Sequence, residues 1–296
     1  MRIGIVGVGN CASSLVQGSF HLPEIRYTSA FDVTRDKVGR DLSEAIWAEP
    51  NNSRRFAEVP HLGVPVHAGP LADGFAPAPH AAGAGLEEVV AHLRESGTRI
   101  LVNFLPTGSQ RAAELYAEAA LRAGCAFVNC MPAVLARSAG WAGRFEAAGL
   151  PLIGDDLKSS FGATLVQRAI VDALQRGGVR LSRAYQLLAG GNMDFRNLED
   201  ADRMRSKQAT KATGAGFATH VGASYIPFLE DRKVAFIRIE GEGFGDSPVE
   251  VELRMVVEDS PSAAGNVLEA VRQADEALRE GRGGLMGGEL MKAPGS

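Results

Sequence analysis

Arg2-Ile3-Gly4-Ile5-Val6-Gly7-Val8-Gly9-Asn10-Cys11-Ala12 begins as a nearly apolar run and ends in a turn with two glycines one residue apart. A run without polar alternation reads as a strand buried on both faces of a parallel sheet. The turn fits G-x-G-x-x-[GA] and leads into a helical pattern at Ser13-Ser14-Leu15-Val16. Each small residue has a physical reason to be there. Gly7 permits a tight turn, Gly9 leaves the backbone open to a pyrophosphate, and Ala12 lets the helix pack closely on the strand. The phosphates are then expected over the positive end of the helix.

The next strand, about Tyr27 to Val33, ends on Phe31-Asp32. Asp32 lies roughly 20 residues past the glycines, where a carboxylate accepts hydrogen bonds from the ribose hydroxyls of a dinucleotide. Strand, turn, helix, strand and terminal acid in that order predict an NAD site. A carboxylate at that point repels the 2′-phosphate of NADP.

Farther on, strand and helix patterns alternate. Helices are expected over Val38–Trp47, Leu86–Ser96, Gln110–Ala123 and Val134–Ala148. Strands are expected at Val64–His67, Ile100–Leu105, Phe127–Pro132 and Pro151–Gly154. Ala68 to Gly85, rich in Ala, Gly and Pro, reads as an exposed loop. Such alternation predicts an α/β fold with a doubly wound parallel sheet. The strand tips Leu105-Pro106-Thr107-Gly108-Ser109, Asn129 to Pro132 and Gly154-Asp155-Asp156-Leu157-Lys158 fall on one sheet edge, where such folds bind ligands. Ser159-Ser160 are placed to cap the helix Ala163–Gln175.

After Gly178 the pattern changes. Val179–Leu188, Lys233–Gly241 and Pro248–Glu258 alternate like strands with one covered face. A last helix is expected from Asp259 to about Glu280, and the Gly- and Met-rich tail after Gly281 is expected to be ordered only by contacts. The resulting division is a dinucleotide-binding domain over 1–158, an inserted α+β domain over 159–258, and a helix and tail over 259–296 returning to the first domain.

Net charge of -4, with no block of like charge, argues against a nucleic-acid surface. Cys11, Cys125 and Cys130 form no CxxC pair and read as reduced thiols. Met1 leads straight into a strand, with neither signal peptide nor membrane span, so a cytoplasmic protein is expected. His61, His67, His80 and His92 have no ligand spacing; they read as surface or loop residues, and no metal is expected.

Together these segments resemble myo-inositol-1-phosphate synthase of the bacterial and archaeal type. The resemblance rests on Gly7 to Gly18, Leu105 to Ser109, Gly154 to Ser159, Gly190-Gly191-Asn192-Met193-Asp194-Phe195, Ser206-Lys207 with Lys211, Asp231-Arg232-Lys233 and Asp259-Ser260-Pro261. They cover nearly the whole chain in the family's order. The resemblance implies an intramolecular lyase acting without net redox change. NAD+ oxidises a secondary alcohol of a hexose 6-phosphate (C5 of glucose 6-phosphate), an enolate forms, an intramolecular aldol addition closes the ring, and the hydride returns. It assigns Lys158, Lys207, Lys211 and Lys233 to catalysis and phosphate binding, with crowded ammonium groups stabilising developing oxyanions and lowering one another's pKa. Asn192 and Asp194 would position sugar hydroxyls, and Asp156 would orient lysine or substrate. The cofactor set is Gly7, Gly9, Asn10, Cys11, Ala12, Asp32, Leu105, Pro106, Gly108, Ser109, Asp155, Asp259 and Ser260. A homotetramer built through the inserted sheet is also implied.

This chain departs from the family pattern in places. The segment after the first helix is short, as is that between Lys211 and Lys233. Gly222-Ala223-Ser224-Tyr225-Ile226-Pro227 lacks the family's acidic residue before the aromatic. A trimmed pocket of this kind leaves open a variant that closes fructose 6-phosphate to a five-membered cyclitol phosphate. A plain NAD-dependent sugar dehydrogenase would share the first domain but accumulate NADH. A non-catalytic nucleotide sensor would need no lysine cluster.

Overall fold

Alternate residues of the apolar strands enter two different cores, one on each side of the first sheet. The computed structural model describes residues 1–73, 80, 83–197 and 216–291. Within it, contacts divide the chain into a unit of 1–158 with 263–296 and a unit of 159–262.

The first unit holds β1 (Arg2–Val6), α1 (Asn10–Ser19), β2 (Arg26–Asp32), α2 (Leu42–Ala45), β3 (Val66–Ala68), α3 (Leu86–Glu95), β4 (Ile100–Asn103), α4 (Gln110–Ala123), β5 (Ala126–Asn129), α5 (Ala139–Ala147) and β6 (Pro151–Ile153). The remaining elements are α6 (Ala163–Arg176), β7 (Arg180–Gly190), α7 (Met193–Asn197), β8 (Ala218–Tyr225), β9 (Arg232–Glu242), β10 (Pro248–Glu258), α8 (Asp259–Glu280) and β11 (Gly284–Met286). Seven parallel strands form the first sheet in the order β3-β2-β1-β4-β5-β6-β11. Ile3, Ile5, Val102, Val128 and Ile153 pack with Leu15 and Val16 of α1 and Val267, Val271 and Ala274 of α8. Val6, Leu101, Phe127 and Leu152 pack on the other face with α3, α4 and Phe145 of α5. This is the expected doubly wound arrangement, because a parallel strand needs cover on both sides.

Several details differ from expectation. The helix expected from Val134 begins only at Ala139, because the N–H groups of Leu135, Ala136 and Arg137 donate to the Asp155 carboxylate instead of entering a helix. Of the helix expected over Val38–Trp47, only the single turn α2 forms. The tail after Gly281 is ordered by contact as expected, but as a strand: Gly284–Met286 pairs with β6 as the seventh strand of the sheet. Ser159 and Ser160 do not cap α6; Gly162 takes the cap position, and the Ser160 hydroxyl donates to the Ser262 carbonyl. Asp73, in the expected exposed loop, instead accepts from the Arg111 and Ala112 N–H groups at the start of α4. His67 and His92 stack with ring centroids 3.7 Å apart and also meet Phe31, so they are packing residues rather than loop histidines.

The second unit is a four-stranded sheet, β10-β9-β7-β8, antiparallel except for β7 with β8. β8 was not anticipated, since Ala218-Thr219-His220-Val221-Gly222-Ala223-Ser224-Tyr225 carries a weak apolar pattern. One face, with Ala184, Leu188, Ala235, Ile237 and Ile239, packs under Ile170, Val171 and Leu174 of α6. On the other face Leu187 and Phe236 stand opposite each other in register, each 46% exposed. Among the described residues, no helix is long and apolar enough to cross a membrane.

Candidate active site

In the first unit, the glycine-rich turn between β1 and α1 is held by its surroundings. Gly7 has φ +84°, and a Cβ there would sit 2.9 Å from the Phe104 carbonyl oxygen, so only glycine fits. The Val8 N–H donates to Asp32 Oδ2 at 2.8 Å. Asp32 Oδ1 accepts from the Val33 and Thr34 N–H groups, each at 2.8 Å. Asn10 and Asn52 bond reciprocally, Asn10 Nδ2 to Asn52 Oδ1 and Asn52 N–H to Asn10 Oδ1. Ala12 is buried against the sheet.

The residues present fit a dinucleotide. A Cβ built on Gly9 would meet no atom within 4 Å, so the backbone there is open to an incoming group. Glycine, which has no side chain, stands at the cap position of α1, at the end of the helix that favours an anion.

The other expected cofactor residues lie on neighbouring strand tips. Leu105 N–H donates to Asn103 Oδ1 at 3.1 Å. Pro106 and Gly108 form the turn that ends at Ser109, whose N–H donates to the Pro106 carbonyl. Asp155 is fully buried: Oδ1 accepts from Asn129 Nδ2 at 2.7 Å and Ala136 N–H at 3.0 Å, and Oδ2 from Leu135 N–H at 3.1 Å and Arg137 N–H at 3.2 Å. Its carboxylate therefore fixes the loop 133–137. Asn103 Nδ2 donates to Asn129 Oδ1, extending the chain of polar groups across three strand ends.

Asp156 is half-buried with φ 61°, and its N–H donates to the Met131 carbonyl. Burial, then the neighbouring Cys11 and Asp156, pushes the Cys130 thiol well above its usual range. Cys11, Cys130 and Asp156 are thus gathered in one neighbourhood. Lys158 is half-buried; its Nζ donates to the Glu289 carbonyl at 2.7 Å, and its own carbonyl accepts from Asn266 Nδ2. Tail and α8 therefore set the position of this lysine, through contacts that no local sequence pattern carries.

In the second unit, five polar side chains meet around the start of α8. Lys233 Nζ bonds to Asp259 Oδ1, both side chains being 16% exposed. Asn192 Nδ2 lies 3.3 Å from Asp259 Oδ2 and 3.2 Å from Asp231 Oδ1. Asp231, 1% exposed, also accepts from the Ser260 hydroxyl at 2.8 Å and the Ser260 N–H at 3.2 Å. Asn192 Oδ1 in turn accepts from the Phe195 N–H in α7. Two glycines make this possible. A Cβ on Gly190 would strike the Phe195 ring at 2.4 Å, and one on Gly191 would lie 2.4 Å from the Glu230 nitrogen.

Asp259 and Ser260, expected in the cofactor set, are gathered here with Lys233 and Asn192. Asp194 stands in the first turn of α7. Lys207 and Lys211 lie outside the described residues, and among those described Lys233 is paired with a carboxylate rather than with another lysine. Asp231 opens the motif Asp231-Arg232-Lys233 with no role implied by the sequence; its burial between Asn192 and Ser260 supplies one. Among the described residues no group of three or more His, Cys, Asp or Glu is placed to hold a metal ion.

Comparison with known proteins converges on one family. Residues 162–260 match the family model described as myo-inositol-1-phosphate synthase. Inositol-3-phosphate synthase of Mycolicibacterium smegmatis is 40% identical over 337 aligned positions, covering 99% of this chain and 93% of that protein. The crystal structure of Ari2 superposes with a TM-score of 0.83 at 36% identity, covering 100% of this chain and 93% of that one. A myo-inositol-1-phosphate synthase-related protein from Thermotoga maritima shares the fold, with a TM-score of 0.80 at 23% identity over 99% of this chain and 92% of that one.

Proposed function

The chain belongs to the myo-inositol-1-phosphate synthase family, and from that premise we propose that it is an NAD+-dependent, redox-neutral cyclase. Its substrate is a hexose 6-phosphate, glucose 6-phosphate in the family reaction, and its product a cyclitol phosphate. The observation that carries this reading is the Lys233–Asp259 pair, held by Asn192 and Asp231 at the start of α8. A dehydrogenase needs one proton relay. Oxidation, enolisation, aldol closure and reduction need fixed positive charge as well, because each step develops charge on an oxygen.

Gly7, Gly9, Asn10, Cys11, Ala12 and Asp32 would hold the dinucleotide, with Leu105, Pro106, Gly108 and Ser109 on the adjoining strand tip. When bound, NAD+ would supply a hydride acceptor that is regenerated within each turnover. Lys233 holds its ammonium toward substrate oxygens, and Asp259 fixes its direction. Asn192 spends its amide on Asp231, Asp259 and the Phe195 N–H, which makes it a positioning residue in this reading. Lys158, tethered by the Glu289 carbonyl, supplies a second ammonium group. Lys207, Lys211, Asp156 and Asp194 keep their implied roles toward the phosphate and sugar hydroxyls. The protein works in the cytoplasm as a homotetramer. The sheet face carrying Leu187 and Phe236 supports that assembly, since half-exposed apolar side chains in register favour burial against another copy.

A second reading, a five-membered cyclitol phosphate from fructose 6-phosphate, is favoured by one observation. Ser224 stands where the family pattern has a carboxylate, and it pairs with Ala189, one residue before the Gly190-Gly191 approach to Asn192. Absorbance at 340 nm during substrate consumption tests the shared chemistry. A flat trace over many turnovers that require NAD+ is expected; NADH rising in step with substrate loss means a dehydrogenase.

A further inference from the structure

Lys37 closes the polar stretch Thr34-Arg35-Asp36-Lys37, yet it is 2% exposed. Its Nζ donates to the Val8 carbonyl at 2.7 Å and to Asn51 Oδ1 at 2.8 Å. Asn51 Nδ2 donates to the same Val8 carbonyl at 3.0 Å and to the Ile46 carbonyl at 2.9 Å. Val8 is the middle residue of the G-x-G turn, and its N–H is already held by Asp32. Both polar groups of this residue are therefore clamped from below.

Peptide geometry turns that clamp into a consequence for the ligand. In a planar trans peptide the carbonyl of one residue and the N–H of the next point in opposite directions. Drawing the Val8 carbonyl inward onto Lys37 and Asn51 turns the Gly9 N–H outward, where the backbone is open. A cation on the carbonyl also polarises the peptide and makes that N–H a stronger donor.

We infer that Lys37 is a positioning residue for the dinucleotide: through the Val8 carbonyl it presents the Gly9 N–H to the pyrophosphate. Burying an ammonium group costs free energy, and burial does push the Lys37 pKa down while the Asp32 charge opposes the shift. A lysine kept there against that cost is accounted for by preorganisation of the turn. The inference rests on the dinucleotide reading above.

The test compares ADP-ribose, which carries the pyrophosphate, with adenosine, which does not, by calorimetry and NMR titration. Lys37→Met should weaken ADP-ribose by about tenfold or more through loss of a charge-assisted contact. Adenosine should change by no more than about twofold. Lys37→Gln, which keeps a donor for the carbonyl but no charge, should fall between. ADP-ribose affinity at the wild-type level in either folded variant, or equal weakening of both ligands, overturns the inference. A merely structural lysine would give that second result. A crystal structure of the wild-type protein with ADP-ribose gives a check that needs no variant. The Gly9 N–H must donate to a pyrophosphate oxygen while Lys37 keeps the Val8 carbonyl, and a reversed peptide overturns the proposal. Wild-type protein that binds neither NAD+ nor ADP-ribose removes the dinucleotide reading itself.

Discussion

Asp155→Asn replaces one carboxylate oxygen of a fully buried side chain with an NH2 group. In the wild type, Oδ1 faces Asn129 Nδ2 and the Ala136 N–H, whereas Oδ2 faces the Arg137 N–H and Nε, and Leu135 N–H is shared. Whichever way the amide turns, its NH2 meets at least two donors. Two charge-assisted hydrogen bonds are then lost and replaced by donor–donor contacts, a cost of about 3–5 kcal/mol. The two tryptophans, Trp47 and Trp141, both lie in the first unit, so urea unfolding followed by their fluorescence reports the affected region. With a slope of about 2–3 kcal/mol/M, the midpoint should fall by roughly 1–2.5 M. NAD+ affinity of the folded variant should change little. A midpoint within experimental error of wild type, with NAD+ affinity lost, would refute the reasoning and return Asp155 to the residues that hold the cofactor.

Lys233→Met should lower turnover by about 100-fold or more while NAD+ still binds, as expected when a group stabilising developing charge is removed; near-normal turnover removes the role given to Lys233. Leu187→Glu, on a side chain already 46% exposed, should leave the fold intact and dissociate the assembly in sedimentation; a wild-type protein that is monomeric contradicts the homotetramer. Burial holds His67 and His92 below the usual histidine range, with His67 also repelling the charged form of His92. The unfolded chain therefore takes up protons first as pH falls below about 6.5, so stability should drop on acidification and recover above that pH. Urea midpoints at two pH values should diverge in wild type and converge when both histidines are changed to glutamine; an unaltered difference excludes them as its source.

The first half of the fold was legible because its determinants are local. Ile3 to Val6 is apolar at every position, as a strand covered on both faces must be. Gly7, Gly9 and Asp32 fall at the spacing that the β1–α1–β2 turn imposes. The bounds of α4 and α8 match their apolar periodicity and their hydroxyl or carboxylate starts. What was missed depends on partners distant in sequence. Asp155 delays the start of α5 by drawing N–H groups some 20 residues away. β11 is a three-residue strand that exists only because β6 offers an unpaired edge. Lys37 and Asp231 sit in polar stretches, and nothing nearby marks the one as buried under a glycine turn or the other as sealed beneath Asn192 and Ser260. The candidate site divides in the same way: motifs named Asn192, Lys233 and Asp259, and packing supplied the order among them.

The proposed reaction closes a ring without net oxidation. Incubation of the purified protein with NAD+ and uniformly 13C-labelled glucose 6-phosphate, followed by 13C NMR, tests it most directly, with labelled fructose 6-phosphate in parallel. The anomeric carbon signals should disappear and a six-membered cyclitol phosphate appear, with no accumulated NADH; a five-membered ring from fructose 6-phosphate would keep the chemistry and change the substrate. An open-chain oxidised sugar phosphate from either hexose, formed in step with NADH, would make the protein a dehydrogenase and not a cyclase.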